Sequence, residues 1–245
     1  MISIFRQKPI LKEILANWQV DIHSHLLPGI DDGAKNVEIS KSLLQNMETF
    51  GIKKWLVTPH VLSNIWDNTP KTIMDAEKLL SIHLKSHGIK LDIQVAAEYL
   101  MDYAFMERLS VEKLLPLKDN MVLVEMSYIN PPIQLFEILY ELQLQGYIPV
   151  LAHPERYQFY HNQIKPFEKL KKAGCYFQAN LASTVGYYGK EISNCLDELL
   201  KNDMIDFVGS DIHHQRHLDS FLQKVIIKNH QKLEAIIDNT NCTFK

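Results

Sequence analysis

Seven short apolar runs, each closing on a polar side chain, recur along this chain of 245 residues. They read VDIHSH, KWLVTPH, LDIQVAAE, MVLVEM, IPVLAH, CYFQAN and DFVGSD, and their polar ends fall at 23 and 25, then 60, 98, 125, 153, 180 and 211. Runs this short and this apolar read as buried strands. The stretches between them carry a helical period. In VEISKSLLQNMETFG, for example, Ile39, Leu43, Met47 and Phe50 return at steps of four, four and three. TIMDAEKLLSIHLKSHG, QLFEILYELQLQG, IKPFEKLKKAG and KEISNCLDELLKND behave alike, and several stop at a glycine, as helix C-termini commonly do. Strands and helices alternating at this spacing make parallel β/α units. Segment 99–120 shows no clear helical pattern and is expected to be irregular.

Parallel strands put all their C-terminal ends on one side. An open, doubly wound sheet would string those seven polar ends along a line, whereas a closed sheet gathers them at one rim, where barrel enzymes keep their sites. The reading is therefore an α/β barrel of one domain over residues 20–245, preceded by an amphipathic lead-in over 1–19.

Composition limits what such a rim can serve. With 26 Lys and Arg against 29 Asp and Glu, the formal net charge of −3 speaks against a nucleic-acid or acidic-membrane surface. No run approaches the roughly 18 apolar residues of a transmembrane segment. The N-terminal stretch is broken by Arg6, Lys8, Lys12 and Glu13, unlike a signal peptide. A cytoplasmic protein is expected. Cys175, Cys195 and Cys242 form no C-x-x-C pair, and none has an arginine six residues on. They read as reduced structural thiols, not as a phosphate-loop nucleophile.

The rim would gather His23, His25, His60, Glu98, Glu125, His153, Asp211 and His213. Taken singly, each has an ordinary explanation: a packed histidine, a strand-end ion pair, a helix start capped by Ser210 or Asp211. Taken together, at six of seven strand ends, they read as a metal site. Imidazole and carboxylate without thiolate suit Mn²⁺, Fe²⁺ or Zn²⁺, and eight donors suit two or three ions sharing carboxylates. Asp21 alternates with His23 and His25, so a strand would turn all three to one face, with Asp21 orienting an imidazole. Arg156 and Arg216 each follow a ligand by three residues and suit an anionic, phosphate-bearing substrate. Asp31 and Asp32 are placed to cap the helix starting near Asn36, to reach a third metal or to hold an attacking water. Asp32 is the catalytic candidate of the two. His83, His87, His161, His214, His217 and His230 are read as ordinary histidines.

The series DIHSHLLPGIDDGA, TPH, AEY, VEMS, LAHPERY and GSDIHH, in this order, resembles the polymerase-and-histidinol-phosphatase (PHP) family. It is most similar to the family's bacterial protein-tyrosine phosphatase branch, the CpsB/YwqE-type regulators of capsular and exopolysaccharide synthesis. The resemblance spans about residues 20–217. It implies a distorted (β/α)₇ TIM-like barrel with a three-metal site, usually manganese. It implies dephosphorylation of tyrosine-phosphorylated proteins, notably a tyrosine kinase of polysaccharide export, by attack of a metal-bound hydroxide. By the same resemblance, His23 and His25 bind a first metal with Glu98 and Asp211. Glu98 bridges to a second metal held by Glu125 and His153, while His60 and His213 complete a third site. Arg156 and Arg216 hold the phosphoryl group. Two other readings use the same residues: a small-molecule phosphatase of the histidinol-phosphate type, and a non-catalytic, metal-stabilised docking module. An oligomer is compatible with either. No nucleic-acid partner is expected.

Overall fold

The structure is a computed structural model, and it describes residues 7–245. Its strands are β1 (Val20–Asp21), β2 (Lys54–Val57), β3 (His60–Val61), β4 (Asp92–Val95), β5 (Glu98–Leu100), β6 (Met121–Glu125), β7 (Ile148–Ala152), β8 (Tyr176–Asn180) and β9 (Phe207–Gly209). All pair in parallel, in the orders β1-β2-β4 and β3-β5-β6-β7-β8-β9. The split into two sheets is local. β2 and β3 belong to one apolar run interrupted at Pro59, which has no N–H to give a ladder. Its carbonyl still accepts from Glu98 N at 3.1 Å, and Val57 O accepts from Ala96 N at 2.9 Å, so hydrogen bonding carries across the break.

The seven runs thus form seven strand positions. The seam between first and last is held by an isolated parallel bridge, Ser24 to Ile212, where a full ladder would otherwise run. Asp211 N donates to His23 O at 2.7 Å and His25 N to Ile212 O at 2.9 Å. The Asp21 carboxylate completes the seam, accepting from Ser210 N at 2.9 Å and Ser210 Oγ at 2.6 Å. Burial pushes its pKa up to about 6 against those two hydrogen bonds. This is the distorted (β/α)₇ barrel that the motif series implied.

Helices α1 (Leu11–Ile14), α2 (Val37–Glu48), α3 (Pro70–Ser86), α4 (Tyr103–Val111), α5 (Leu135–Leu144), α6 (Ile164–Lys172), α7 (Lys190–Lys201), α8 (Gln215–Ser220) and α9 (Leu233–Phe244) complete the fold. α4 corrects the expectation for segment 99–120. Its one strong signal is a cap: Asp102 accepts from Phe105 N at 2.8 Å, and only Phe105 and Leu109 of its nine residues are buried. α2 is capped by Asn36, whose side chain accepts from Ile39 N at 3.0 Å, which leaves Asp31 and Asp32 free for other work.

Two apolar cores result. The larger lies between strands and helices; the smaller fills the barrel with Val20, Ile22, Leu56, Leu123, Val150 and Phe207. Phe244 of α9 plugs this inner core. Asn241, on the same helix, accepts from Gln19 N and Val20 N at 2.9 and 3.1 Å. In the lead-in, Leu11, Leu15 and Trp18 are buried in the larger core. Within the described residues, no helix is long and apolar enough to cross a membrane.

Candidate metal centre

At the end of β1 the backbone leaves the ladder, and His23 and His25 both enter the rim. Each ring has its outer nitrogen engaged. His23 Nδ1 lies 2.7 Å from Gln178 Oε1, and the Gln178 amide group donates to Ala179 O at 2.8 Å, so the glutamine must present its oxygen to the ring. His25 Nδ1 lies 2.8 Å from Asp31 Oδ2. Both Nδ1 atoms are therefore N–H donors, and in the neutral rings both Nε2 atoms are lone-pair ligands. Those Nε2 atoms stand 3.3 Å apart.

Two carboxylates close on them. Glu98 Oε2 is 3.2 Å from His23 Nε2 and 3.4 Å from His25 Nε2, and Asp211 Oδ1 is 3.5 and 3.4 Å from the same atoms. An ion bonded tetrahedrally at about 2.1 Å spaces its donors about 3.4 Å apart. The five spacings among these donors match that figure, and His23, His25 and Asp211 offer ligand atoms that all lie within 4.8 Å of one another. Burial alone would push the His23 imidazolium down, but Glu98 and Asp211 outweigh it and lift its pKa to about 9. Burial would likewise raise Glu98, yet the surrounding imidazoles hold its carboxyl well below the usual range. Glu98 Oε2 nonetheless finds no hydrogen bond, a costly state for a buried carboxylate oxygen and one that a cation would relieve.

Glu98 faces two ways. Its Oε1 meets His153 Nε2 at 3.0 Å, while Oε2 also lies 3.2 Å from His60 Nδ1, itself 3.1 Å from Glu125 Oε1. His60 sits between two groups of donors, because its Nε2 lies 3.6 Å from Asp32 Oδ1, which is 3.3 Å from His213 Nε2. All eight rim residues that the sequence offers as candidate ligands, and Asp32, meet in this cluster. His213 holds the Asp32 carboxyl down at about 2 against the opposing effect of burial. His153 and Asp211 take left-handed backbone, with φ of 35° and 52°. Such conformations cost a non-glycine residue of order 1–3 kcal/mol and cluster at functional sites.

Beside the cluster opens a cavity of about 450 Å³ with two characters. Its floor is Glu125, His153, Asp211, His213 and Asp32, and its wall is apolar: Leu62, Ile65, Trp66, Leu100, Tyr128 and Ile129. Trp66 stacks on His60 at 5.0 Å with the rings 14° from parallel. Arg156 reaches the cavity between the rings of Tyr128 and Tyr188, at 4.7 and 4.3 Å, and donates from Nη1 to Asp211 Oδ2 at 2.7 Å.

Arg216 is placed differently from the expectation. It lies exposed in the first turn of α8 and does not line the cavity; the residues of α8 that turn inward are His217, Leu218 and Ser220. Asp21 does not orient an imidazole ring either, since β1 ends before the alternation reaches His23 and the Asp21 carboxylate turns to Ser210. Gln178 and Asp31 do that work. Alternation along β8 would have found Gln178, because it shares a face with Asn180, whose Nδ2 donates to Asp211 Oδ2 at 2.8 Å. Glu155, in the HPERY stretch, is fully buried but turns away from the donors, accepting from Asn180 N and Ser183 Oγ at 2.9 and 2.7 Å.

Two glycines make room for these contacts. A Cβ on Gly33 would lie 2.0 Å from His25 O, and one on Gly209 would lie 2.7 Å from His23 Cβ.

The chain is similar to known proteins over most of its length. The family described as capsular polysaccharide synthesis, CpsB/CapC, matches residues 19–239. The tyrosine-protein phosphatase YwqE of Bacillus subtilis is 29% identical over 208 residues, 84% of this chain and 82% of that protein. A crystal structure from work on YwqE of Bacillus subtilis and CpsB of Streptococcus pneumoniae, described as metal-dependent tyrosine phosphatases, superimposes with a TM-score of 0.76 at 28% identity. It covers 90% of this chain and 86% of the other. A histidinol phosphate phosphatase from Lactococcus lactis, solved with zinc, L-histidinol and phosphate, shares the fold at a TM-score of 0.54 and 13% identity, covering 90% and 93%.

Proposed function

Since the chain belongs to the CpsB/CapC family of capsular polysaccharide synthesis proteins, we propose that it is a metal-dependent protein-tyrosine phosphatase. The observation that carries this reading is the donor cluster of His23, His25, Glu98 and Asp211 beside an apolar-walled cavity that Asp211 helps to line. The relatives YwqE and CpsB, named as tyrosine phosphatases, support it. An oxygen- and nitrogen-rich set without thiolate fits divalent manganese, with iron(II) or zinc as alternatives. His23, His25, Glu98 and Asp211 would hold one ion. Glu98, Glu125 and His153 would hold a second, and His60, His213 and Asp32 a third. When bound, such ions supply Lewis acidity toward a phosphoryl group and lower the pKa of water.

The remaining work falls to this chain's own residues. Arg156, pinned by Asp211 and flanked by Tyr128 and Tyr188, has donors left to bind the phosphoryl oxygens as a rigid fork. Arg216 would join it by swinging in from α8. Asp32 stands at the open edge, half-exposed and ionised, where it would orient the attacking water. The apolar wall would take the phenyl ring, and a phenolate, whose conjugate acid has a pKa near 10, leaves without strong acid assistance. Burial pushes the Cys175 and Cys195 thiols up to about 12, so neither suits a phosphocysteine route. The natural substrate would be a tyrosine-phosphorylated protein, a bacterial tyrosine kinase of polysaccharide export, met in the cytoplasm.

The apolar wall favours the phenyl ring of phosphotyrosine over histidinol phosphate, whose imidazole and ammonium are polar. Turnover of p-nitrophenyl phosphate and phosphotyrosine peptides, abolished by chelation and restored by Mn²⁺, is the expected result. A higher kcat/KM on histidinol phosphate than on phosphotyrosine would move the protein to the other branch. No turnover of either by metal-loaded protein would leave a docking module.

A further inference from the structure

A second group of metal-type donors lies outside the barrel. His83, in the last turns of α3, and His87, the C-cap residue of that helix, are four residues apart with ring centroids at 4.4 Å, and Glu38 reaches them from the first turn of α2. One ligand atom from each of the three falls within 4.8 Å of the others. From this geometry we propose that Glu38, His83 and His87 form a separate binding site for a zinc-class divalent cation, clamping α2 to α3.

Three details support the assignment. His87 Nδ1 lies 2.9 Å from His83 O, and a carbonyl can only accept, so Nδ1 carries the hydrogen and Nε2 is left as a ligand. His83 Nε2 is shielded from solvent and makes no well-aligned hydrogen bond, yet it lies 3.1 Å from Glu38 Oε1. The other oxygen of Glu38 is already occupied: Oε2 pairs with Lys41 Nζ at 2.6 Å, leaving Oε1 for the cation. Lys41 opposes a cation electrostatically, but Glu38 is 61% exposed and that repulsion is screened by solvent.

Two imidazoles and one carboxylate select a borderline d-block ion such as Zn²⁺ over Ca²⁺ or Mg²⁺, which prefer oxygen. The position near the C-terminal end of α3 adds the favourable end of the helix dipole. A cation here would tie α3 to the start of α2, directly after the loop that carries Asp31 and Asp32. The site is independent of the phosphatase reading, since none of its residues touches the rim donors.

The test uses the intact protein with its central site filled and free metal removed, titrated with Zn²⁺ alone at pH 7. Wild type is expected to take up one equivalent more than His83→Ala/His87→Ala, with equal phosphatase activity in both. Zn²⁺ should also slow diethylpyrocarbonate modification of both His83 and His87 in wild type by at least about tenfold, read by peptide mass. This second readout needs no variant, so a misfolded double mutant leaves the proposal testable. His87→Ala alone should weaken the extra site by at least about tenfold, the scale on which even outer partners of metal sites matter. Equal zinc uptake in well-folded wild type and double variant would overturn the site. So would modification of either imidazole at the same rate with and without Zn²⁺, which would leave only a Glu38–His83 ion pair.

Discussion

Asp211 divides its carboxylate between two tasks: Oδ2 accepts from Arg156 Nη1 at 2.7 Å, while Oδ1 faces the Nε2 atoms of His23 and His25 at 3.5 and 3.4 Å. One buried side chain thus joins the candidate metal donors to the guanidinium that would hold the substrate's phosphoryl group. The coupling sets the orientation of Arg156 before any substrate arrives. Pre-ordering of this kind reduces the entropy lost on binding.

Arg156→Met should therefore lower kcat/KM by about one to three orders of magnitude, the scale of a lost charge-assisted phosphate contact. Arg156→Lys should recover little, because a point charge cannot replace the fork between two tyrosine rings. Arg216→Met should cost less and act mainly on KM, since that side chain starts in solvent. Steady-state kinetics on p-nitrophenyl phosphate will rank the three. Equal losses for Arg156→Met and Arg216→Met would place both arginines in the cavity.

Glu98 touches donors proposed for all three sites, with Oε1 on His153 and Oε2 on His23, His25 and His60. Glu98→Gln replaces the shared anion by a neutral amide and leaves two cations close together with less compensation. Bound metal should fall by more than one ion per chain and activity should nearly vanish. Glu125→Gln should mainly weaken one site. Elemental analysis of both purified variants decides; equal loss would remove the bridging role from Glu98.

Gly33 lies so close to His25 that a methyl group would meet its carbonyl oxygen at 2.0 Å and its Cβ at 2.5 Å. Gly33→Ala must push the Asp31–Asp32 loop off the imidazole it orients. A stability loss of about 1–3 kcal/mol, typical of overpacking, is expected together with weaker metal binding. Thermal unfolding and metal titration measure the two effects. A variant with unchanged metal affinity would show that the loop does not set His25.

The metal-free protein should lose stability as pH rises. In the fold, burial lowers the His23 pKa, but Glu98 and Asp211 raise it to about 9, and His25 is raised well above its ordinary value by Asp31 and its other carboxylate partners. A pKa raised above the unfolded value of about 6.5 stabilises fully below pH 6.5, and the gain disappears as pH climbs through 9. The melting temperature of chelator-treated protein should fall across that window. Metal-loaded protein should not follow, because the ion takes the place of the protons. A flat profile for the metal-free form would contradict the buried imidazolium–carboxylate cluster.

Alkylation should separate the thiols. Cys175 and Cys195 are buried with pKa values near 12, whereas Cys242 is exposed. Iodoacetamide at neutral pH should label Cys242 first and leave phosphatase activity intact. Stoichiometric inactivation on labelling Cys175 or Cys195, with the fold preserved, would overturn the metal-dependent reading.

Much of the fold could be read along the chain because its cues are local. Each strand is a short apolar run and each amphipathic helix repeats over a few turns, so α2, α3, α5, α6 and α7 stand where the periodicity placed them. α4 escaped because its cue is a single capping aspartate on a poorly buried helix. The donor chemistry at the strand ends was legible too, since imidazole and carboxylate keep their ligand character wherever they sit.

The grouping of those donors belongs to the tertiary structure. Parallel register aligns Glu98 with His60 on one side and with Leu123 on the other, which brings donors 38 residues apart in the chain onto neighbouring strands. The seam at Ser24 and Ile212 then carries His23 and His25 to Asp211 and leaves Asp21 to Ser210, against the simple alternation of a strand. The pairing of Gln178 with His23 is decided only there, because the two lie 155 residues apart. Residue types and their periods follow from the sequence by itself. Which carboxylate faces which imidazole depends on hydrogen-bond register and on closure of the ring, both set by contacts between distant parts of the chain.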